Sequence, residues 1–488
     1  MGKRGLLFLA ISIVAMTATA AVVGFELTTE ISADPYTQQP IKTEVEPDTY
    51  SFGSTIVGAF QVGRFADGGA LDIGWATSND NGKTWHHGFL PGITKYQNNG
   101  PYDRVSDASV AYDAKHKVWM VSSLAIYDLN GNITSPAIIV SRSTDGGLTW
   151  QNPVTIHGEA KTAGLDKNWT TCDDWKTSPY YGHCYTEWDA PENFNEIFMS
   201  TSTDGGLTWS APQTTGDQAS GLGGQPVVQP NGTVIVPIGD ADVGNLLSFV
   251  SRDGGQTWSA TTTVTALTVH TVGNNLRTAP LPSAAVDNTG KVYVVWQDCR
   301  FESNCSANDI VMSTTTDGIN WSPVVRIPTD SVGSNVDHFL PAIAIDRNTG
   351  GATAHLSLTY YYYPNANCSG TSCELRVATD QSTDGGASWT QPMEIGSKPV
   401  NWNTVPETDM GPMVGDYISA SFVDGVSIPI FAMSSSLDGL TMNSISANLN
   451  SVRELELSSF ALPRENVSYG PILSVPSGHV EPHWTRLF

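Results

Sequence analysis

Apolar and polar positions alternate in short runs along most of this chain, and each run ends at a cluster of Gly, Asn, Asp or Ser. AIIVSR, EIFMST, LLSFVS, DIVMST and LRVATD are such runs. Their length, their β-branched content and the turn residues that bound them predict strands. A second kind of run precedes many of them. In Leu281–Gln297, two apolar stretches flank Asn288-Thr289-Gly290, which reads as a two-strand hairpin. No long apolar segment with helical period interrupts this pattern after the first 25 residues.

The turns that close the runs are themselves repeated. STDGGLTW stands at Ser143–Trp150 and again, unchanged, at Ser202–Trp209. SNDNGKTW, SRDGGQTW, TTDGINW, STDGGASW and the degraded SSLDGLTM are its relatives. Their aspartates are Asp80, Asp145, Asp204, Asp253, Asp317, Asp384 and Asp438, spaced 49 to 67 residues apart. An Asp that accepts bonds from the N–H groups of its own turn, a Gly that takes positive φ and a Trp that folds back as an apolar anchor form a hairpin staple. With a second hairpin upstream, each unit holds four antiparallel strands. Such units in one unbroken chain describe an all-β propeller. Seven blades are expected, with six and an irregular extension as the alternative, because the last box lacks its Trp.

Composition narrows the partners. Forty-eight acidic residues against 24 basic ones give a net charge of −24, which argues against nucleic acid. The first 25 residues combine a basic start, an apolar stretch and Ala18-Thr19-Ala20, so segment 1–25 is read as a signal peptide or an N-terminal anchor. Segment 26–44 is then a linker and 45–488 one propeller domain. Six cysteines in three close pairs, Cys172/Cys184, Cys299/Cys305 and Cys368/Cys373, predict local disulfides and a place outside the cytoplasm, secreted or at the cell surface. A membrane contact is expected only through an uncleaved N-terminal segment, and the protein is expected to be a monomer.

S-x-D-x-G-x-x-W boxes between the third and fourth strands of a blade resemble those of the sialidase, or neuraminidase, superfamily, whose members carry bacterial neuraminidase repeats. That family includes hydrolases and non-hydrolytic binding propellers. The resemblance implies a glycan or glycoconjugate partner. It also implies an exo-α-sialidase type of glycoside hydrolase acting on terminal acidic sugars, or else a non-catalytic propeller that binds glycan or protein. In such proteins the boxes lie on the face away from the active site, so the pocket is expected opposite them.

Gly63-Arg64 followed by Asp67-Gly68 is similar to the family's loop that carries the acid/base, which makes Asp67 the counterpart of that residue and Arg64 a pocket residue. The family's first-strand R-I-P motif is missing, and Val45-Glu46-Pro47 stands there instead. The resemblance implies that Arg104 replaces its arginine, completing with Arg277 and Arg300 a triad for a carboxylate. Glu187 and one of Tyr360–Tyr363, taken as Tyr361, are then the nucleophile pair. For Arg64 and Arg300, which share the repeated AFQVGRF and VWQDCRF contexts, a purely structural role at the loop base stays open. No metal or cofactor is assigned. Calcium is an open possibility, and Asp128-Leu129-Asn130-Gly131-Asn132 reads as an ordinary turn rather than a calcium loop.

Overall fold

The computed structural model describes residues 28–36, 42–396, 398–434 and 439–445. Within them the chain is β-structure throughout, with only three-residue 3-10 turns besides. Strands pair with their sequence neighbours in antiparallel meanders. Examples are Asp166–Cys172, Cys184–Ala190, Glu196–Ser202 and Gln213–Thr214 in one sheet and Asp337–Ile345, Leu356–Tyr363, Arg376–Ser382 and Met393–Glu394 in another.

The fold is the expected four-stranded propeller, but its sheets do not separate into seven or six blades. Five sheets are discrete four-stranded blades. The strands between Glu44 and Gly158 form one eight-stranded sheet, because a single bridge, Ala70 to Val105, ties its two meanders together. A two-stranded ribbon, Glu407–Thr408 with Gly411–Pro412, lies apart. The first strands of successive meanders, from Glu44–Phe52 to Ser419–Val423, touch one another in a closed circle around a central channel. Thr28–Glu30, inside the segment read as a linker, pairs with Leu440–Ile445 and so joins the chain's start to its last sheet.

The boxes are built alike. In the second box, Asp145 accepts from Leu148 N at 3.1 Å, Thr149 N at 3.0 Å and Thr149 Oγ1 at 2.5 Å, and Ser143 Oγ donates to it at 2.8 Å. Asp80, Asp204, Asp253 and Asp384 repeat this pattern, Asp317 accepts instead from Ile319 N, Asn320 N and Asn320 Nδ2, and Asp438 lies outside the described residues. The box also reaches its neighbour. Thr77 Oγ1 donates to the Gly147 carbonyl at 2.8 Å, Arg142 Nε to Gly205 at 2.6 Å and Ser248 Oγ to Gly318 at 2.7 Å. These three boxes are therefore hairpin turns and also latches onto the preceding meander.

The three expected disulfides are all formed, each within one meander. Cys172–Cys184 ties the facing ends of two paired strands, Asp166–Cys172 and Cys184–Ala190. Cys299–Cys305 closes the loop after Val292–Asp298, with Cys299 buried and Cys305 half-buried. Cys368–Cys373 closes the loop between Leu356–Tyr363 and Arg376–Ser382, and both of its cysteines pack into a core cluster with Val272 and Trp402.

Candidate functional site

At the end of the channel away from the boxes, four first strands carry a bulge with a non-glycine residue in the left-handed region. These residues are Glu46 (φ 56°), Asp107 (φ 48°), Lys167 (φ 47°) and Leu340 (φ 51°), each where the strand register slips. A bulge re-aims a side chain, and three of these four are charged. Lys167 Nζ lies 2.5 Å from Asp416, 3.6 Å from Asp107 and 3.8 Å from Glu46. Arg277 Nε donates to Asp416 Oδ1 at 2.7 Å, and a second guanidinium nitrogen grips Asp416 Oδ2. All five are buried. Burial opposes ionisation of Asp416, yet Arg277 and Lys167 hold its carboxyl below the usual carboxylate range. Burial pushes Glu46 up to about 7, against the pull of Lys167. The channel is thus closed at this end by an ion network, and the space left beside it is about 20 Å³.

The residues proposed from the sequence for a sialidase centre fall into separate places. Asp67 is 46% exposed and accepts from Arg104 Nη1 at 2.5 Å. The other end of the Arg104 fork goes to Asp128 at 2.7 Å, and its carbon sits 4.0 Å from the Phe65 ring centroid. Arg64 donates to the carbonyls of Phe65 and Gly69 at 2.7 and 2.9 Å. Arg300 turns back on Asp298 at 2.8 and 2.6 Å. Arg277 belongs to the network above. The four guanidiniums are therefore each engaged with their own acids or carbonyls rather than presented together to a ligand carboxylate.

The proposed nucleophile pair is not in contact. Tyr361 is buried in a core cluster and donates to the Ala432 carbonyl at 2.7 Å. Glu187 is fully buried, and neither of its oxygens has a well-formed hydrogen bond; the nearby backbone N–H of Gly224 only partly offsets the burial. Burial, followed by the charges of Asp189 and Asp166, pushes its carboxyl well above the usual range. Asp128 accepts from Gly131 N at 2.7 Å, which closes the turn read from Asp128 to Asn132. Asp309, Asp330 and His338 bring ligand atoms within 4.8 Å of one another. Arg326 already bridges the two carboxylates of that group.

The larger cavity, about 190 Å³, occupies the other half of the channel. It runs from Trp169, Gln225 and Ser283 at mid-channel to Asp174, Trp175 and Arg347 in the turns after the first strands. Those turns share a face with the boxes, as the bond from Asn81 N in a box to the Ser54 carbonyl in such a turn illustrates. The cavity thus opens on the box face, not opposite it as expected. The reason is physical: the bulged ends of the first strands fill the far end with charge pairs and leave the near end hollow. Of the disulfide cysteines, Cys172 lines this cavity, whereas Cys184, Cys299, Cys305, Cys368 and Cys373 line neither space and serve only to hold their loops.

Residues 181–345 match the BNR repeat-like domain family. That match agrees with the box geometry and the ring of meanders. The fold is a β-propeller with BNR-like repeats.

No curated protein matches the chain. Among solved structures, a protein of unknown function from Dyadobacter fermentans aligns at 17% identity and TM-score 0.46, over 73% of this chain and 99% of that one. The NanB sialidase of Streptococcus pneumoniae, as its K499G mutant, aligns at 13% identity and 0.44, over 87% of this chain and 71% of that one. The Trypanosoma rangeli sialidase in complex with sialic acid aligns at 11% identity and 0.44, over 89% of this propeller and 60% of that chain. Nothing about the chemistry of this propeller follows from likenesses of that size.

The propeller's channel mouth was missed in the sequence, although a signal for it exists. Asp113, the last residue of its first strand, and Asp173, Asp287 and Asp346, each one residue past the end of theirs, accept from a backbone N–H two residues on. The residue that follows each of them varies: Ala114, Asp174, Asn288 and Arg347. Two of these variable positions, Asp174 and Arg347, meet at the mouth. Asp174 Oδ2 accepts from the Tyr50 hydroxyl at 2.9 Å, and Arg347 Nη1 lies 3.3 Å from that hydroxyl. Burial raises the Asp174 carboxyl to about 7, with Arg347 pulling it down.

Proposed function

We propose that this protein is an exported, non-hydrolytic BNR-repeat propeller that binds a glycan or a protein at the cell surface. One observation carries the reading. Arg64, Arg104, Arg277 and Arg300 are each committed to acids or carbonyls of the chain itself. A sialidase needs guanidiniums free to fork onto a substrate carboxylate, and freeing Arg277 would break both of its bonds to the buried Asp416. The separation of Tyr361 from Glu187 supports the same reading, since a nucleophile must hydrogen-bond its base. Three local disulfides support an oxidising compartment.

The test is hydrolysis of a fluorogenic sialoside by the wild type and by Asp67→Ala. The expected result is no turnover by either. Turnover by the wild type would overturn the reading in favour of the exo-α-sialidase alternative, and its disappearance in Asp67→Ala would assign Asp67 the acid/base role.

A further inference from the structure

The box-face cavity combines features that no part of the fold requires. Arg347, in the turn after Asp337–Ile345, reaches Asp174 in the turn after Asp166–Cys172 and Tyr50 near the end of Glu44–Phe52. Its contacts are all long: 3.3 Å to the Tyr50 hydroxyl, 3.4 Å to the Asp174 carbonyl and 3.6 Å to the Asp174 carboxylate. Charge-assisted bonds normally lie at about 2.7–2.9 Å. Arg347 is also 29% exposed, whereas Arg104 and Arg277, locked in the ion pairs described above, are 7% and 3% exposed. Its guanidinium carbon stands 4.9 Å from the Trp175 ring centroid and 5.3 Å from that of Phe52. Arg347 is therefore a loosely bonded donor held between aromatic faces, beside an Asp174 that is 2% exposed and accepts from Ala114 N at 2.8 Å and from Tyr50 at 2.9 Å.

We propose that this mouth binds the uncharged terminal ring of a saccharide, with Tyr50, Asp174 and Arg347 bonding its hydroxyls and Trp175 and Phe422 covering its apolar faces. The inference rests on the binding reading above and gives it a place and a ligand class. The cavity holds on the order of ten waters at about 10–15 Å³ each, room for one ring rather than an extended chain. Ser283 and Ser419 supply further hydroxyls deeper in, among valine and alanine side chains, the mixture that orients a polyol. Charge selects the neutral ring. Asp48 and Asp174 line the cavity against the single guanidinium of Arg347, so the wall carries no excess of positive charge to hold an acidic sugar, and a neutral ring needs none.

The test is titration of the full chain with glucose, galactose, mannose and N-acetylglucosamine, read by calorimetry and tryptophan fluorescence, with sialyllactose as the acidic comparison. At least one neutral sugar binds the wild type. Asp174→Asn and Arg347→Ala each weaken it by about tenfold or more, while Glu374→Gln, outside the cavity, binds as the wild type does. If either variant fails to fold, Arg347→Lys, which keeps the charge and loses the planar fork, shows the same loss. The proposal is overturned if none of the four sugars binds, if the variants bind as well as the wild type, or if sialyllactose outcompetes every neutral sugar. Such a failure leaves binding elsewhere on the disc standing, whereas sialoside turnover would sink the wider reading.

Discussion

Lys167 donates to Asp416 at 2.5 Å across the channel, although 249 positions separate them in sequence. Asp107 and Glu46 complete the cation's surroundings. Burial disfavours the ammonium, but these three carboxylates together hold it charged.

Lys167→Met should therefore be strongly destabilising. Removing one partner of a buried ion network costs about 3–5 kcal/mol, because the other charges stay buried without compensation. Arg277 still holds Asp416, so the stranded groups are Glu46 and Asp107. Denaturant unfolding at neutral pH should give the full loss, and at about pH 5, where Glu46 takes up a proton, a smaller one. Adding Glu46→Gln to Lys167→Met should recover part of the stability. Purely additive effects would mean that the two do not interact.

The pH dependence of stability follows from two opposed sets of carboxyls. Burial raises Glu44 to about 8, Glu46, Asp174 and Asp309 to about 7, and Asp48 to about 6. A raised carboxyl stabilises the fold fully below its unfolded pKa of about 4, and that stability is lost as pH rises through the folded value. The box aspartates act the other way. A small desolvation penalty is outweighed by bonds from Thr84 and Ser78, which bring Asp80 to about 2, and Asp145, Asp204, Asp253 and Asp384 are lowered for like reasons. Their contribution is present above about pH 4 and is lost as pH falls through the lowered values. The melting temperature should therefore peak between about pH 4 and 6 and fall toward pH 8. A maximum above pH 8 would show that the buried carboxyls are ionised without penalty.

The boxes can be separated into their two tasks by mutation. Asp145→Ala removes the acceptor for Leu148 N and Thr149 N, and should cost about 1–2 kcal/mol, as loss of a capping carboxylate does. Arg142→Met leaves that box intact but removes the donor to the Gly205 carbonyl of the next one. If the latch matters, thermal unfolding of Arg142→Met should be destabilised by about 1 kcal/mol or more. No change would reduce the box to a hairpin turn.

The boxes, the four-stranded units and the cysteine pairs were legible because their determinants are local. Asp145 bonds residues three and four positions on, and the disulfides Cys172–Cys184, Cys299–Cys305 and Cys368–Cys373 span 12, 6 and 5 positions. The fate of the arginines was not legible. Arg277 finds Asp416 139 residues away, and nothing in the surrounding strings shows which acid will face it. The GR…DGG loop singles out Asp67, but its partner Arg104 stands 37 positions on, and that pairing makes a loop clamp out of what resembled an acid/base. The merging of two meanders turns on the pairing of Ala70 with Val105, residues whose apolar character says only that they are buried. At the channel mouth, repetition hid the signal: Asp113, Asp173, Asp287 and Asp346 recur, while the variable residue after each decides what lines the cavity.

Glu187 offers the sharpest separation of a structural role from a catalytic one. Both of its oxygens are buried without a well-formed hydrogen bond, the Gly224 N–H offsets little of that burial, and Asp189 and Asp166 add negative charge nearby. A β-carbon added at Gly224 would stand 2.9 Å from the Glu187 carboxyl carbon, so the glycine makes room for this side chain. Keeping such a carboxyl ionised is unfavourable, and keeping it protonated near pH 8 costs free energy relative to the unfolded chain. Glu187→Gln preserves the shape and removes that cost, so it should raise the melting temperature near pH 8 and leave it nearly unchanged near pH 4. Gly224→Ala should lower it at both, by about 1–3 kcal/mol of stability, because the extra carbon overpacks the site. A Glu187→Gln variant that is less stable near pH 8 would mean that the carboxylate has a cationic or donor partner there, and would reopen the case for a working site at this end of the channel.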